Sequence, residues 1–219
     1  MHVFAMLRGG DICGMTKPSF SKVWILDERK LVAEVLYVEP VIRFCAVISQ
    51  DDQVRRRAIE KLESEWGKLV FQSAPLPFLA GGFYTPAMGA GLRKELLAFE
   101  QPLSPDGLAD WKLWTNAVEA EFPSTDDSIK RPLNLDPGYI TQAKLVLATT
   151  KDRDHRIYLR NGIFGEITLT YSAKKWNHHR WTYPDYRTDK VCEFVMQCRN
   201  HLRERLLAGD GFRNRKSTG

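Results

Sequence analysis

The sequence predicts an α+β domain, and three observations carry that reading. Short, β-branched apolar runs alternate with helix-period stripes between Val41 and Thr150, in the order βαββαβ. Asn161-Gly162 sits between two further runs, a strong signal for a two-residue hairpin. A last stripe, Val191, Phe194, Val195, Cys198, Leu202 and Leu206, recurs at helical spacing. The order is that of a ferredoxin-like βαββαβ core. An antiparallel hairpin and a C-terminal helix extend it, with helices mainly on one face of the sheet.

Each element has its own warrant. Val41–Ile48 is apolar and β-branched, hence a central strand. Asp51 and Asp52 offer N-caps to a helix whose buried side is Val54, Ala58, Ile59, Leu62 and Trp66, and Gly67 stops it. Lys68–Ser73 reads as the second strand. Ala74–Ala90 holds three prolines and three glycines and reads as irregular. Leu92–Glu100 is the third strand, against the helix-favouring Lys94, Glu95 and Leu96. Ser104-Pro105-Asp106 starts the second helix, with a cap followed by proline. Leu108, Trp111, Trp114, Thr115, Val118 and Phe122 mark its buried side. Lys144–Thr150 is the fourth strand. His155–Arg160 and Ile163–Tyr171 form the hairpin. Thr188 or Asp189 caps the final helix, and Gly209 and Gly211 end it.

Composition narrows the class. With 219 residues, 43% of them hydrophobic, the chain has material for one ordinary core. We read 39–207 as a single α+β domain, 1–38 as a poorly packed extension and 208–219 as a disordered basic tail. No stretch approaches the ~20 apolar residues of a membrane span, and Met1–Phe20 lacks the apolar run of a secretory signal. The four cysteines form no CxxC pair, which fits a reducing cytoplasm. The net charge of +5 comes mostly from residues 199–219, with six basic and two acidic side chains, whereas 39–198 is balanced. A basic tail is a weak footprint for nucleic acid, so that partner is not favoured. Gly9–Gly14 has phosphate-loop spacing, but Met15 stands where that motif requires lysine.

Chemistry-bearing side chains concentrate between Arg131 and Arg187. Arg131–Tyr139 reads as a loop, with Asp136-Pro137-Gly138 as its turn and Asn134 and Asp136 bonding local backbone or a ligand. Lys151, Asp152 and Arg156 flank a turn after a strand end. Backbone N–H groups and cations there suit an anion, although a solvated hairpin tip explains the same residues. A two-residue hairpin loop would set Arg160 opposite Ile163, Leu159 opposite Phe164, Ile157 opposite Glu166, His155 opposite Thr168 and Tyr158 opposite Gly165. Glu166 then interrupts an apolar strand, with His155 diagonal to it at ~7–8 Å. A Glu–His pair in a cleft can exchange protons near neutral pH, whereas an exposed edge glutamate is the plainer explanation. The Ser172–Arg187 loop is dense in aromatic residues, and Tyr183, Asp185 and Arg187 can close over a ligand or simply cover the sheet. Adjacent His178 and His179 lack zinc-site spacing.

The expected site therefore has Asp136, His155 and Glu166 handling protons. Asn134, Lys151, Asp152, Arg156, Tyr183, Asp185 and Arg187 contact a small anionic ligand, a nucleotide or phosphorylated metabolite, with no resident metal and no cofactor specified. Whether the site turns that ligand over is left open. The alternative is a non-catalytic protein- or RNA-interaction module that uses loop 176–187.

Four segments resemble a known family: Arg131–Tyr139, Lys144–Asp152, His155–Leu159 and Trp181–Arg187. Tyr84, Met88-Gly89, Phe99-Glu100 and Thr115-Asn116 are similar as well. They look like the bacterial "domain of unknown function 4416" family, over about Val41 to Arg205. The resemblance implies neither a reaction nor a ligand. Some members carry a GTP-binding label, for which this chain lacks the phosphate loop. Residues 1–38 and Gly165 depart from the family pattern.

Overall fold

The computed structural model describes residues 38–78, 81–124 and 129–209, all within one structural unit. The expected extension and tail fall outside these residues, apart from Val38 at one end and Ala208 and Gly209 at the other.

Strand β1 (Ile42–Ser49) leads into helix α1 (Asp52–Trp66). The Asp51 carboxylate accepts the N–H groups of Gln53 and Val54, and Gly67, at φ +90°, ends the helix. Strand β2 (Leu69–Gln72) and the two-residue β3 (Leu76–Pro77) follow. The segment expected to be irregular also contains helix α2 (Gly81–Met88), despite Pro86 inside it. Gly89, at φ +81°, donates to the Thr85 carbonyl and closes that helix. Buried Met88 anchors it beside Ile48 and Leu92, so packing overrides the cost of proline.

Strand β4 (Arg93–Phe99) is followed by a single 3₁₀ turn (Pro105–Gly107) and helix α3 (Leu108–Ala120). Then come β5 (Asn134–Ile140), β6 (Lys144–Thr149), β7 (Ile157–Arg160), β8 (Ile163–Ser172) and β9 (Lys175–His178). A 3₁₀ turn (Pro184–Tyr186) leads to α4 (Asp189–Ala208), capped by the Thr188 hydroxyl. β9 corrects the expected loop. It pairs with β8 through Ala173 and Lys174, both at positive φ, a turn geometry usually signalled by asparagine and glycine.

All pairings are antiparallel, in the order β2-β4-β1-β5-β6-β8-β7, with β3 on β4 and β9 on β8. The result is an α+β fold on a nine-stranded sheet. β1 lies inside it, as expected. The strand beside β1 is β5, however, and not the expected 144–150 segment, which sits one place further out as β6.

Both faces of the sheet are covered. Cys45 and Val47 of β1, with Leu97 and Leu135, pack under α1 and α3. Phe44 and Ala46, with Leu96 and Ile140, pack under α4. The expectation of helices mainly on one face holds for α1 and α3 but not for α4. Two-sided burial explains why β1 reads as a continuous apolar run and not as an alternation.

Candidate functional site

The site begins with a correction. Asp136-Pro137-Gly138 is not a turn; it is the middle of β5. Along β1 the pairing of β5 is continuous, from Ile140 opposite Ile42 to Asn134 opposite Ile48. Along β6 it covers only Gly138, Tyr139 and Ile140. A proline has no N–H for a second ladder, so Pro137 stands where one is no longer needed. Gly138 is needed at the junction because a Cβ there would lie 2.2 Å from the Val146 carbonyl oxygen. Beyond it β5 and β6 diverge.

A cavity of about 300 Å³ is lined by residues from this fork. Asn134 and Asp136 of β5 face Leu147, Ala148 and Thr149 of β6. Lys112 and Asn116 reach it from α3, and Asp185 and Tyr186 from the turn before α4. The structure thus brings Asn134, Asp136, Lys151, Arg156, Glu166, Tyr183 and Asp185 of the expected site to one cavity. It does not bring Asp152, His155 or Arg187 there. Arg187 donates to the Thr182 and Arg180 carbonyls and so ties down its own loop.

The hairpin register also differs from expectation. Arg160 faces Ile163, but Leu159 bulges out, so Tyr158 lies opposite Phe164 and Ile157 opposite Gly165. Leu159, not Tyr158, covers Gly165, at 3.6 Å from where a Cβ would be. The slip moves Arg156 toward Glu166. Glu166, 4% exposed, accepts from Arg156 Nε at 2.8 Å and meets His155 Nε2 at 3.0 Å. His155 is therefore a partner behind the wall. Its ring stacks on Trp181, which stacks in turn on His179. Trp181 Nε1 donates to the Ile167 carbonyl, and Thr182 Oγ1 to that of Thr168, fixing the loop on β8.

Charge is sorted within the cavity. Arg131 is held by Glu119 and Asn134. Lys112 donates to the Leu135 carbonyl and lies 3.8 Å from Asp136, too far for a hydrogen bond. The Lys151 ammonium is pushed down by partial burial and by Arg131 and Arg156 nearby, with Asp136 opposing. Beneath the floor, Lys94 and Asp185 form a fully buried pair at 2.5 Å, with the ammonium over the Tyr186 ring. Burial pushes Lys94 down, and Asp185 counters only part of that. The Tyr186 phenol is driven up by burial and by Asp136 and Asp185. Three buried atoms of cavity-lining residues have no protein partner: Asn134 Nδ2, Asp185 Oδ1 and Tyr186 OH. Each such group left without any partner costs about 1–3 kcal/mol.

Lys112, Arg131, Tyr84, Asn116 and Tyr186 were missed as site residues. Lys112 had a readable signal. It lies on the stripe of Leu108, Trp111 and Thr115, where an apolar residue is expected. Lys94 and Glu95, inside an otherwise buried strand, posed the same question; their partners are Asp185 and Arg55.

Among the described residues no helix is long and apolar enough to cross a membrane. Comparison with curated proteins and with solved structures found no match. The family described as domain of unknown function (DUF4416) matches residues 39–202, which include every wall of the cavity. The match covers most of the 219 residues, and the chain belongs to that family.

Proposed function

We propose that the fork between β5 and β6 binds a small anionic ligand, a phosphorylated metabolite or nucleotide. One observation carries this: Lys112, Arg131, Lys151 and Arg156 converge on a cavity of about 300 Å³, a size suited to a small molecule. Glu166 fixes Arg156, and Glu119 fixes Arg131, so both guanidinium groups are held before a ligand arrives. Asp136 is the carboxylate placed to exchange a proton with that ligand. It lines the cavity, its side chain is 28% exposed, and Lys112 stands beyond hydrogen-bond length. The loop favours this reading over a protein- or RNA-contact module. Trp176 is buried, and Trp181 already stacks with His155 and His179.

The strand order β2-β4-β1-β5, with α1 and α3 in one core, supports a ferredoxin-like core whose last strand is β5. Cys45, Cys192 and Cys198 are free thiols, which supports the cytoplasmic setting.

Inorganic phosphate tests the site. It should raise the melting midpoint of the full chain in proportion to the logarithm of its concentration. Lys151→Ala, at the exposed mouth, should weaken binding roughly tenfold while leaving the unliganded midpoint unchanged. An unchanged midpoint with phosphate and with a panel of phosphorylated metabolites would remove the proposal.

A further inference from the structure

We infer that Lys151 is a nucleophile, and that the ligand of this cavity is a phosphate ester that also carries an aldehyde or ketone, with which the lysine amine forms an imine. The inference rests on the anion-binding reading above and deepens it by naming the substrate class and the atom that reacts.

Geometry places the amine. Lys151 is exposed and lines the cavity, so a ligand can reach it. Its Nζ lies 5.8 Å from the centre of the Tyr84 ring, which lines the same cavity. The Lys151 backbone is tied on both sides. Its N–H donates to Thr149 Oγ1, and its carbonyl accepts from Arg156 Nη1 at 2.8 Å. Arg156 is itself held by Glu166. The amine therefore springs from backbone gripped by one of the guanidinium groups that hold the anion.

Among the cations of the cavity only a lysine can shed its charge, because a guanidinium stays protonated. Lys112 is committed elsewhere: it is buried and donates to the Leu135 carbonyl at 2.6 Å. Lys151 stands where the charged form is disfavoured, first by partial burial and then by Arg131 and Arg156, with Asp136 opposing. Desolvation and a neighbouring cation are how a lysine amine is freed to attack a carbonyl. The Tyr84 ring, near the ~6 Å limit of cation–π attraction, restores little of the ammonium's stability.

The step needs no oxidant or reductant. Asp136 takes the proton that the ammonium gives up. The Nζ lone pair then adds to the carbonyl carbon, and the C=O π pair moves to oxygen. A proton passes from nitrogen to that oxygen, giving a carbinolamine. The nitrogen lone pair expels the hydroxyl, which leaves as water with the proton returned by Asp136. A protonated imine remains, with the phosphoryl group on Arg131 and Arg156.

Reductive trapping of the full chain tests the inference. Glyceraldehyde 3-phosphate or plain glyceraldehyde is added with sodium cyanoborohydride, which reduces an imine to a stable secondary amine, and the modified lysines are mapped by peptide mass spectrometry. Lys151 should react roughly tenfold or more faster than any other lysine, and roughly tenfold faster with the phosphorylated aldehyde than with the plain one. Inorganic phosphate should suppress that labelling. Lys151→Arg keeps a cation and removes the amine, and should abolish the fast reaction. The wild-type map is read independently of that variant. Labelling of Lys151 no faster than other lysines, while phosphate still raises the melting midpoint, overturns the nucleophile and leaves the anion site standing. Fast labelling by both aldehydes alike, with no effect of phosphate, overturns the anion reading and the phosphate-ester class with it. Fast labelling that survives Lys151→Arg overturns the assigned residue.

Discussion

The two halves of β5 are made of the same strand and do different work. From Gly138 to Ile140 it is hydrogen-bonded on both sides, to β1 and to β6. From Asn134 to Pro137 its only strand partner is β1; on the other side the Leu135 N–H and carbonyl are taken by Glu119 and Lys112, and Asn134 and Asp136 line the cavity. The first half is a sheet interior and the second is the wall of a site. The boundary is chemical: Pro137 lacks the donor that a second ladder would use, and Gly138 lacks the Cβ that would keep β6 away. A cavity that penetrates a sheet needs no missing strand. It needs one strand that loses a neighbour partway along.

The largest effect expected from breaking this contrast is at Gly138. An added Cβ would lie 2.2 Å from a backbone oxygen and 2.8 Å from Leu147 Cδ2, so the backbone of β6 must move. Gly138→Ala should cost about 3 kcal/mol, the upper end for overpacking, and Gly138→Val more. Chemical denaturation would read this directly. A loss under about 1 kcal/mol would show that β6 shifts freely and that the junction is not tightly built.

The second effect lies beneath the open half. Lys94 and Asp185 are each 1% exposed at the side chain and face only each other's charge at hydrogen-bond length. Asp185→Asn removes the counter-charge of the buried Lys94 ammonium but keeps an oxygen that can accept from it, and should cost about 3 kcal/mol, the lower end for a broken buried pair and less than Gly138→Val. Lys94→Met with Asp185→Leu, replacing both, should recover much of that loss. The double variant keeps Lys112, Arg131, Lys151 and Arg156 and should still bind phosphate. Unfolding and binding measured on the same two proteins would separate the pair's role in the fold from its role in the site.

The same contrast decides what was legible in the sequence. Elements set by one local pattern were readable. The α4 stripe is buried at all six expected positions, and Asp51 and Thr188 cap the helices they precede. The β5 fork was not readable, because Pro137 and Gly138 together satisfy every local rule for a turn. Pairing with β1, and β6 arriving at Gly138, make them strand, and neither contact is local. The hairpin was half legible: Asn161-Gly162 fixed the loop, but the Leu159 bulge depends on filling the space over Gly165. Glu166 was noticed because it breaks an apolar strand. Lys94 and Lys112 break theirs in the same way, and their partners come from elements distant in the chain.

The smallest effect is at the outer end of the fork and depends on pH. Asp154 accepts from His155 at 2.9 Å and pairs with Arg180; these hydrogen bonds, His155 first, hold its carboxyl down to about 2. An acid whose folded value lies below its unfolded one, ~3.9, stabilises the fold while it is ionised in both states. That contribution is complete above pH ~4 and is lost as the pH falls toward 2. Because Asp154 is solvent-exposed, screening keeps the contribution small. Asp154→Asn should therefore unfold slightly more easily at neutral pH, and the gap to wild type should close between pH ~4 and ~2. The change should leave phosphate affinity nearly untouched, since Asp154 stands behind His155 and outside the cavity wall. A gap that persists unchanged below pH 2 would mean that the carboxylate's charge is not what it contributes. A large loss of phosphate binding would show that the brace of His155, Trp181 and His179 transmits its position to Glu166 and Arg156, and the open half of the fork would then extend to the loop that backs it.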